Sequence, residues 1–264
     1  MKKLGIIQGR LSEPVNGHIQ EFPVDNWQKE FEILETLKLS HIEWIITPNS
    51  LNINPAFNQT NLLSKYPINT ICCDHLIDER IDQFDFLKEN LEPVCVSARL
   101  NGIKTIGIPL LEKSSLEDKT KRLKFADNIQ RIYDRYSDLT FSFEAELTSE
   151  QILEILELND GFKLTYDTGN ITSHCGVTSH LSYLKNVFHK IDNVHLKDRR
   201  KFSDGWKTVF PTTGETNFYL IFEFLKQNSY GKRYTMQTAR GLAGLEYQTI
   251  SYHKLIFEEL YERV

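Results

Sequence analysis

Four polar side chains fall at the C-terminal ends of four short segments: Glu144 in TFSFEAE, Asp167 in KLTYDTGN, His195 in NVHLK and Gln237 in YTMQT. Polar and apolar residues alternate in each, as they do on a strand whose successive side chains point to opposite faces. Phe141 and Phe143 share one face; Ser142, Glu144 and Glu146 share the other. Asn193, His195 and Lys197 oppose Val194 and Leu196, Thr165 and Asp167 oppose Leu164 and Tyr166, and Thr235 and Gln237 oppose Tyr234 and Met236. Brought together on neighbouring strands, two carboxylates, an imidazole and an amide oxygen form a mixed N/O ligand set. It suits one divalent ion (Zn, Mn, Co or Mg) better than a thiolate-loving metal. A hydrogen-bonded polar cluster without metal is the plainer alternative, but four such residues at matching strand ends favour the metal.

A scaffold must bring these strands side by side. Eight strand-like segments can be read: Leu4–Gln8, His41–Ile46, Asn69–Cys73, Lys104–Ile108, Thr140–Glu144, Lys163–Asp167, Asn193–Lys197 and Tyr234–Gln237. Between them run amphipathic helical patterns such as WQKEFEILETLKL and LEDKTKRLKFADNIQRIYDRY. LTSEQILEILEL opens with Thr148 three residues before Gln151, a capping-box spacing. Strand–helix alternation implies a parallel sheet, and eight units in 264 residues imply a single α/β (β/α)8 TIM barrel, one domain over residues 1–264. The apolar strand faces then pack under the helices and the polar faces line the interior. The C-terminal strand ends, where the four polar residues lie, are the active-site face of such barrels.

Composition removes several classes. The formal charge is −5, which argues against a nucleic-acid partner. No run of apolar residues is long enough for a transmembrane helix, so no membrane partner is expected. MKKLGIIQGR has too short an apolar stretch for an export signal, so a cytoplasmic location is expected. The glycosylation-like triplets at Asn58 and Asn170 are then chance matches. Cys72, Cys73, Cys95 and Cys175 lack metal or redox spacing and read as reduced thiols.

FSFEAEL, LTYDTGN, NVHLKDR, PTTGETNF and YTMQTARG follow one another in an order and spacing that resembles the xylose isomerase-like barrel superfamily. More narrowly the chain is similar to the sugar phosphate isomerase/epimerase proteins, often labelled AP endonuclease family 2. GIIQGRLS and HIEW resemble the first two strands of that family, so the resemblance spans nearly the whole chain. It implies one divalent metal held by Glu144, Asp167, His195 and position 237, where the family has a second Glu and this chain has Gln237. In family epimerases the two Glu residues act on opposite faces of the substrate carbon. A Gln carbonyl can ligate a hard cation but cannot take or give a proton at neutral pH. Asn170 stands where several members have His, and Thr212 where many have the first Gly of a Gly-x-Gly turn that Gly214 completes.

The resemblance therefore implies a metal-dependent isomerase or epimerase of a small sugar, with Glu144 as base and Glu146, Lys197 or a substrate hydroxyl as second proton relay. Two alternatives stand beside it: a dehydratase or lyase, which needs one base, and a ligand-binding barrel with a degraded site. DNA repair of the AP endonuclease kind needs three metals and many His ligands, whereas this chain has 8 His and an acidic balance. A homo-oligomer is an expectation from the family alone. Further candidates for substrate contact are Gln8, Arg10, Asp74, His75, Asn170 and Arg199. Arg10 would hold an anionic group or pair with a barrel carboxylate. Asp74 and His75 would contact substrate or cap a turn. Lys197 would polarise a carbonyl or neutralise Asp198. Arg199, Arg200 and Lys201 read as a basic loop at the mouth, and Glu43 as an internal ion-pair partner. His174 and His180 read as loop residues at the surface.

Overall fold

The computed structural model describes residues 3–58, 61–175 and 180–264. Thr60 of the Asn58 triplet and the side chains of Asn58 and Cys175 lie outside the described residues, as do Met1 and Lys2 of the segment read for an export signal. Eight strands are parallel: β1 (Leu4–Ile7), β2 (Ile42–Ile45), β3 (Ile68–Cys72), β4 (Thr105–Leu110), β5 (Thr140–Ala145), β6 (Phe162–Asp167), β7 (Ile191–Leu196) and β10 (Arg233–Met236). They close a barrel in the ring order β1-β10-β7-β6-β5-β4-β3-β2. The eight expected strands are all present, with ends displaced by up to two residues. The register sets Asp167 level with His195, and His195 level with Thr235, so the polar faces align across three strands.

Helices follow the strands: α1 (Trp27–Thr36), α2 (Pro55–Asn58), α3 (Phe84–Asn101), α4 (Lys119–Tyr133), α5 (Ser149–Leu156), α6 (Thr168–Cys175), α7 (His180–Val187), α8 (Phe218–Gln227) and α9 (Glu246–Arg263). Their starts are set locally. Asp118 accepts from Lys121 N at 2.8 Å, and the Thr148–Gln151 capping box forms at the head of α5. The outward strand faces hold the helices on. Tyr133 of α4 meets Phe141 and Phe162 edge-on at centroid distances of 5.2 and 4.9 Å, and Phe125 meets Phe143 at 6.0 Å.

The interior differs from the layers of branched apolar side chains that usually fill such barrels. His41, Glu43, Thr70, Thr105, Asn193, Thr235 and His195 are buried there in a polar network. β1 makes room for it with Gly5, because a Cβ at that position would fall 2.3 Å from His41 Nε2. Two expectations about the connections are corrected. The basic run at 199–201 belongs to an antiparallel hairpin, β8 (Asp198–Phe202) and β9 (Gly205–Val209). The segment after β6 is helical. His180 is buried rather than at the surface, bonded to Tyr166 Oη at 2.5 Å and Thr172 Oγ1 at 2.9 Å.

Among the described residues no helix is long and apolar enough to cross a membrane. Cys72, Cys73 and Cys95 are buried free thiols. Phe162 is wholly buried among Phe141, Phe143 and Tyr133, so Phe162→Ala removes the packing that seats α4 on β5 and β6. It should cost about 3–5 kcal/mol in urea unfolding.

Candidate active site

The site is founded below the mouth, at Glu43 of β2. This carboxylate is 1% exposed. Its Oε2 accepts from His195 Nε2 at 2.9 Å and Cys72 Sγ at 3.2 Å, and its Oε1 accepts from Thr235 Oγ1 at 2.7 Å and from Asn193 Nδ2. Burial opposes the charge on Glu43, but His195 and Thr235 outweigh it and bring the carboxyl down to about 2. Glu43 is therefore an anion, and the ring proton on Nε2 is fixed toward it. The other ring nitrogen, Nδ1, is left to face the mouth. The reading of Glu43 as an internal ion-pair partner agrees with this geometry.

At the mouth, ligand atoms of Glu144, Asp167 and His195 all lie within 4.8 Å of one another. His195 Nδ1 stands 3.1 Å from Glu144 Oε2 and 3.9 Å from Asp167 Oδ2, close but not aligned as hydrogen bonds. Asp167 sits at the head of α6, where its Oδ1 accepts from Asn170 N at 2.8 Å. Asn170 Nδ2 donates to Glu144 Oε1 at 2.8 Å, and Lys197 Nζ donates to Asn170 Oδ1 at 3.3 Å. Lys197 Nζ also lies 2.7 Å from Asp167 Oδ2 and 3.8 Å from Glu144 Oε1. Lys197 thus neutralises the ligand carboxylates, not Asp198 as its sequence position suggested. Burial opposes the Glu144 charge, yet His195 and Lys197 hold this carboxyl well below the usual range. Burial raises Asp167, and Glu144 adds to that against Lys197. His195 is lifted well above the ordinary imidazole value by Glu43 and Glu144 despite its burial.

These residues fit a divalent ion. Among the described residues His195 Nδ1 and Gln237 Oε1 are buried without hydrogen-bond partners, while Asp167 Oδ2 faces Lys197 Nζ at 2.7 Å. Gln237 Nε2 donates to Gln20 Oε1 at 3.2 Å, which turns the amide so that its carbonyl oxygen is the spare atom. An imidazole nitrogen, two carboxylates and an amide oxygen converging at one place match the hard and borderline cations that take N and O ligands, and binding such an ion would release the Nδ1 proton. The Glu43 carboxylate behind the imidazole matches the outer partner that metal-bound His residues generally have.

A cavity of about 230 Å³ opens above the cluster. Of the residues expected there, Arg10, Asp74, Asn170, Lys197 and Arg199 line it together with Glu144 and Gln237. Gln8 and His75 do not. Gln8 is wholly buried, its Oε1 accepting from Ile45 N at 3.1 Å. His75 directs its two ring nitrogens at the carbonyls of Ile46 and Asn90, at 3.3 and 3.1 Å, and burial lowers its pKa. The substrate contact expected of these two is corrected accordingly. Among the described residues Arg10 forms no ion pair with a barrel carboxylate. It donates to Thr238 O at 3.1 Å, to Ile19 O and to Gln20 Oε1 at 3.2 Å. Arg199 donates to Ser173 Oγ at 2.8 Å and lies 3.6 Å from Glu146.

Sequence reasoning missed Gln20. It comes from the long loop after β1 and donates to Asp74 Oδ2 at 2.6 Å, so it joins Arg10, Asp74 and Gln237. Nothing periodic marks it in the sequence. Asp198 also has a role that the sequence did not show. It accepts from Gly214 N at 2.8 Å and Thr216 N at 3.1 Å, and a Cβ on Gly214 would fall 2.2 Å from its Oδ1. Thr212, in the same loop, carries the left-handed φ of 71° without being glycine.

Because Glu43 fixes the ring that faces the ligands, Glu43→Gln should weaken Zn²⁺ or Mn²⁺ binding by about 10–100-fold. Titration calorimetry on the variant, with circular dichroism to confirm an unchanged fold, checks this. Equal affinity would show that the Nε2 contact does not tune the site.

No family model matches the sequence, and no curated protein matches it. Solved structures do. The IOLI protein with a bound zinc atom superposes with a TM-score of 0.74 at 15% identity, covering 99% of this chain and 98% of that one. An L-ribulose 3-epimerase gives a TM-score of 0.74 at 14% identity, covering 100% of this chain and 95% of the other. A xylose isomerase-like TIM barrel protein from Mycobacterium smegmatis, in complex with magnesium, gives 0.65 at 15%, covering 99% and 97%. Closed barrel, polar strand ends and end-to-end superposition agree: the chain has the fold of the xylose isomerase-like TIM barrels.

Proposed function

We propose that the protein is a metal-dependent isomerase or epimerase of a small sugar or sugar derivative. The observation that carries this reading is the convergence of Glu144, Asp167 and His195 within 4.8 Å beneath a polar cavity at the barrel mouth. The superposition on an L-ribulose 3-epimerase and on zinc- and magnesium-bearing barrels supports it. Glu144, Asp167 and His195 would hold the ion, with Gln237 Oε1 as a weaker fourth ligand. When bound, a divalent cation supplies positive charge that stabilises the anion formed as a proton leaves the carbon next to a carbonyl.

The chain's own residues supply the rest. Glu144 is the base. Lys197 and His195 keep it ionised at neutral pH, and Asn170 fixes its Oε1 at 2.8 Å. Asp167 is held at the head of α6 by Asn170 N and balanced by Lys197. Arg199 lines the cavity wall beside Glu146 and would meet substrate oxygens. The cavity volume of about 230 Å³ accommodates a small polar molecule such as a five- or six-carbon sugar.

Two outcomes follow. With a panel of ketoses in D₂O, Glu144→Gln should cut incorporation of solvent deuterium at carbon by about 10²–10⁴-fold, the usual contribution of a general base. Wild-type rates in that variant would remove Glu144 from the proton step. Gln237→Glu should tighten divalent-metal binding by calorimetry, because a full negative charge replaces a carbonyl dipole beside the ion. Equal affinity in both forms would show that position 237 does not ligate.

A further inference from the structure

A carboxylate presents oxygen to an ion whichever way it turns, and the Glu43 contact fixes the His195 ring. The amide of Gln237 is different. It has an acceptor on one side and a donor on the other, and half a turn about its last bond exchanges them. With the NH2 group toward the cluster, position 237 would repel a cation. The sense of this amide must therefore be set by a neighbour.

Gln20 is that neighbour, its Oε1 lying 3.2 Å from Gln237 Nε2. Gln20 is itself an amide, so its own sense has to come from outside, and two charged residues supply it. Arg10 Nη2 lies 3.2 Å from Gln20 Oε1, and a guanidinium has donors and no acceptor. Asp74 Oδ2 lies 2.6 Å from Gln20 Nε2, and a carboxylate accepts. Turning Gln20 over would set N–H against N–H at Arg10 and oxygen against oxygen at Asp74. With Gln20 fixed, turning Gln237 over would set two carbonyl oxygens 3.2 Å apart. One arrangement satisfies all three contacts, and among the described residues it leaves Gln237 Oε1 buried without a hydrogen-bond partner.

Arg10 is held firmly enough to act as the reference for this chain. It is buried, its Nε donates to Thr238 O at 3.1 Å and its Nη1 donates to Ile19 O. Ile19 O also accepts from Arg240 Nε at 2.9 Å, so the backbone just before Gln20 is tied to the segment after the last barrel strand.

We propose that Gln20 is a positioning residue for the metal centre: oriented by Arg10 and Asp74, it turns Gln237 so that the carbonyl oxygen is the atom left for the ion. This rests on the metal-dependent reading above. The same chain makes the site specific for an amide at 237. A carboxylate there would bring an oxygen against Gln20 Oε1, and Arg10 keeps Gln20 from offering its NH2 group instead. Held by the ion, that carboxylate could not swing clear. The contact that helps Gln237 to ligate therefore works against a carboxylate in its place.

The test is a double-mutant cycle read by titration calorimetry with Zn²⁺ and with Mn²⁺ on the full chain. Its four forms are wild type, Gln20→Met, Gln237→Glu and the double variant. Gln20 is half-buried in a loop, and methionine keeps its length while removing the amide. Gln20→Met should weaken metal binding by about 2–10-fold in the wild type, the worth of one hydrogen bond. In the Gln237→Glu background the same change should tighten binding. A loosened loop would weaken both forms alike, so the difference separates positioning from a structural role. The two effects should differ by more than about threefold in that sense; a smaller difference, or one of opposite sense, would overturn the proposal. If the wild type binds neither ion, the metal-dependent reading fails instead. The orientation is then decided by neutron diffraction from metal-free crystals soaked in D₂O. Deuterons on the Gln237 atom that faces Gln20 support the proposal; deuterons on the atom that faces away overturn it.

Discussion

The structure depends on one buried contact, the bond from His195 Nε2 to Glu43 Oε2 at 2.9 Å. A carboxylate in a barrel interior is costly unless paired and fully hydrogen-bonded. Glu43 meets that demand with donors from three other strands: Cys72 on β3, Asn193 and His195 on β7, and Thr235 on β10. The strands must therefore keep their register for the charge to be tolerated. The same satisfied anion fixes the imidazole so that its Nδ1 side faces Glu144 and Asp167. Interior stability and exterior chemistry are thus two ends of one ring. The polar interior follows from it, including Gly5, whose missing side chain admits His41.

Much of this was legible in the sequence, and the legible part has a common cause. Alternation such as Phe141-Ser142-Phe143-Glu144 states both the strand and the face, because the period of two is exact in a strand. The eight strands and the convergence of Glu144, Asp167 and His195 came from that pattern. What stayed hidden has no period. Gln20 lies in a loop, and only the folded path of residues 9–21 shows that it touches Arg10, Asp74 and Gln237. His75 and Asp74 are adjacent after β3, yet one faces backbone carbonyls and the other the cavity, a difference set by a single 3-10 turn over Asp74–Leu76. Lys197 also sits beside two acids, and sequence proximity favoured Asp198. The fold chose Asp167, because residue 197 points into the mouth while Asp198 turns to cap the loop at Gly214 and Thr216.

The mouth has two unlike halves. On β5, β6 and β7 the ligand triad is joined to Lys197 and Asn170, with charges of both signs in close contact. On the side of β1 and β3 there is a looser chain, Arg10–Gln20–Asp74, whose members touch none of the triad through a hydrogen bond among the described residues. Gln237 stands between the halves, with its amide nitrogen given to Gln20 and its carbonyl oxygen unpartnered. A carboxylate there would accept from both sides but could not donate to Gln20. An amide ties position 237 to the outer chain while leaving an acceptor for the cluster.

The outer chain is only as well placed as the loop that carries Gln20, and that loop is held by a buried carboxyl, Glu30, and a half-buried guanidinium, Arg240. Glu30 of α1 accepts from Gly9 N and Leu11 N, both at 3.0 Å, and from Ser12 Oγ at 2.9 Å. Arg240, just beyond β10, donates to Ser12 O and Ile19 O, both at 2.9 Å, and to Gly9 O. Between them they satisfy backbone donors and acceptors that a loop folded over a barrel would otherwise bury unpaired. The close path also requires Gly9, which has a φ of 84° and no room for a Cβ, since Glu21 O would lie 2.6 Å from it. Ile19 O, fixed in this way by Arg240, precedes Gln20 directly. The position of a side chain that meets Asp74 and Gln237 is therefore set by the first helix and by the segment after the last barrel strand.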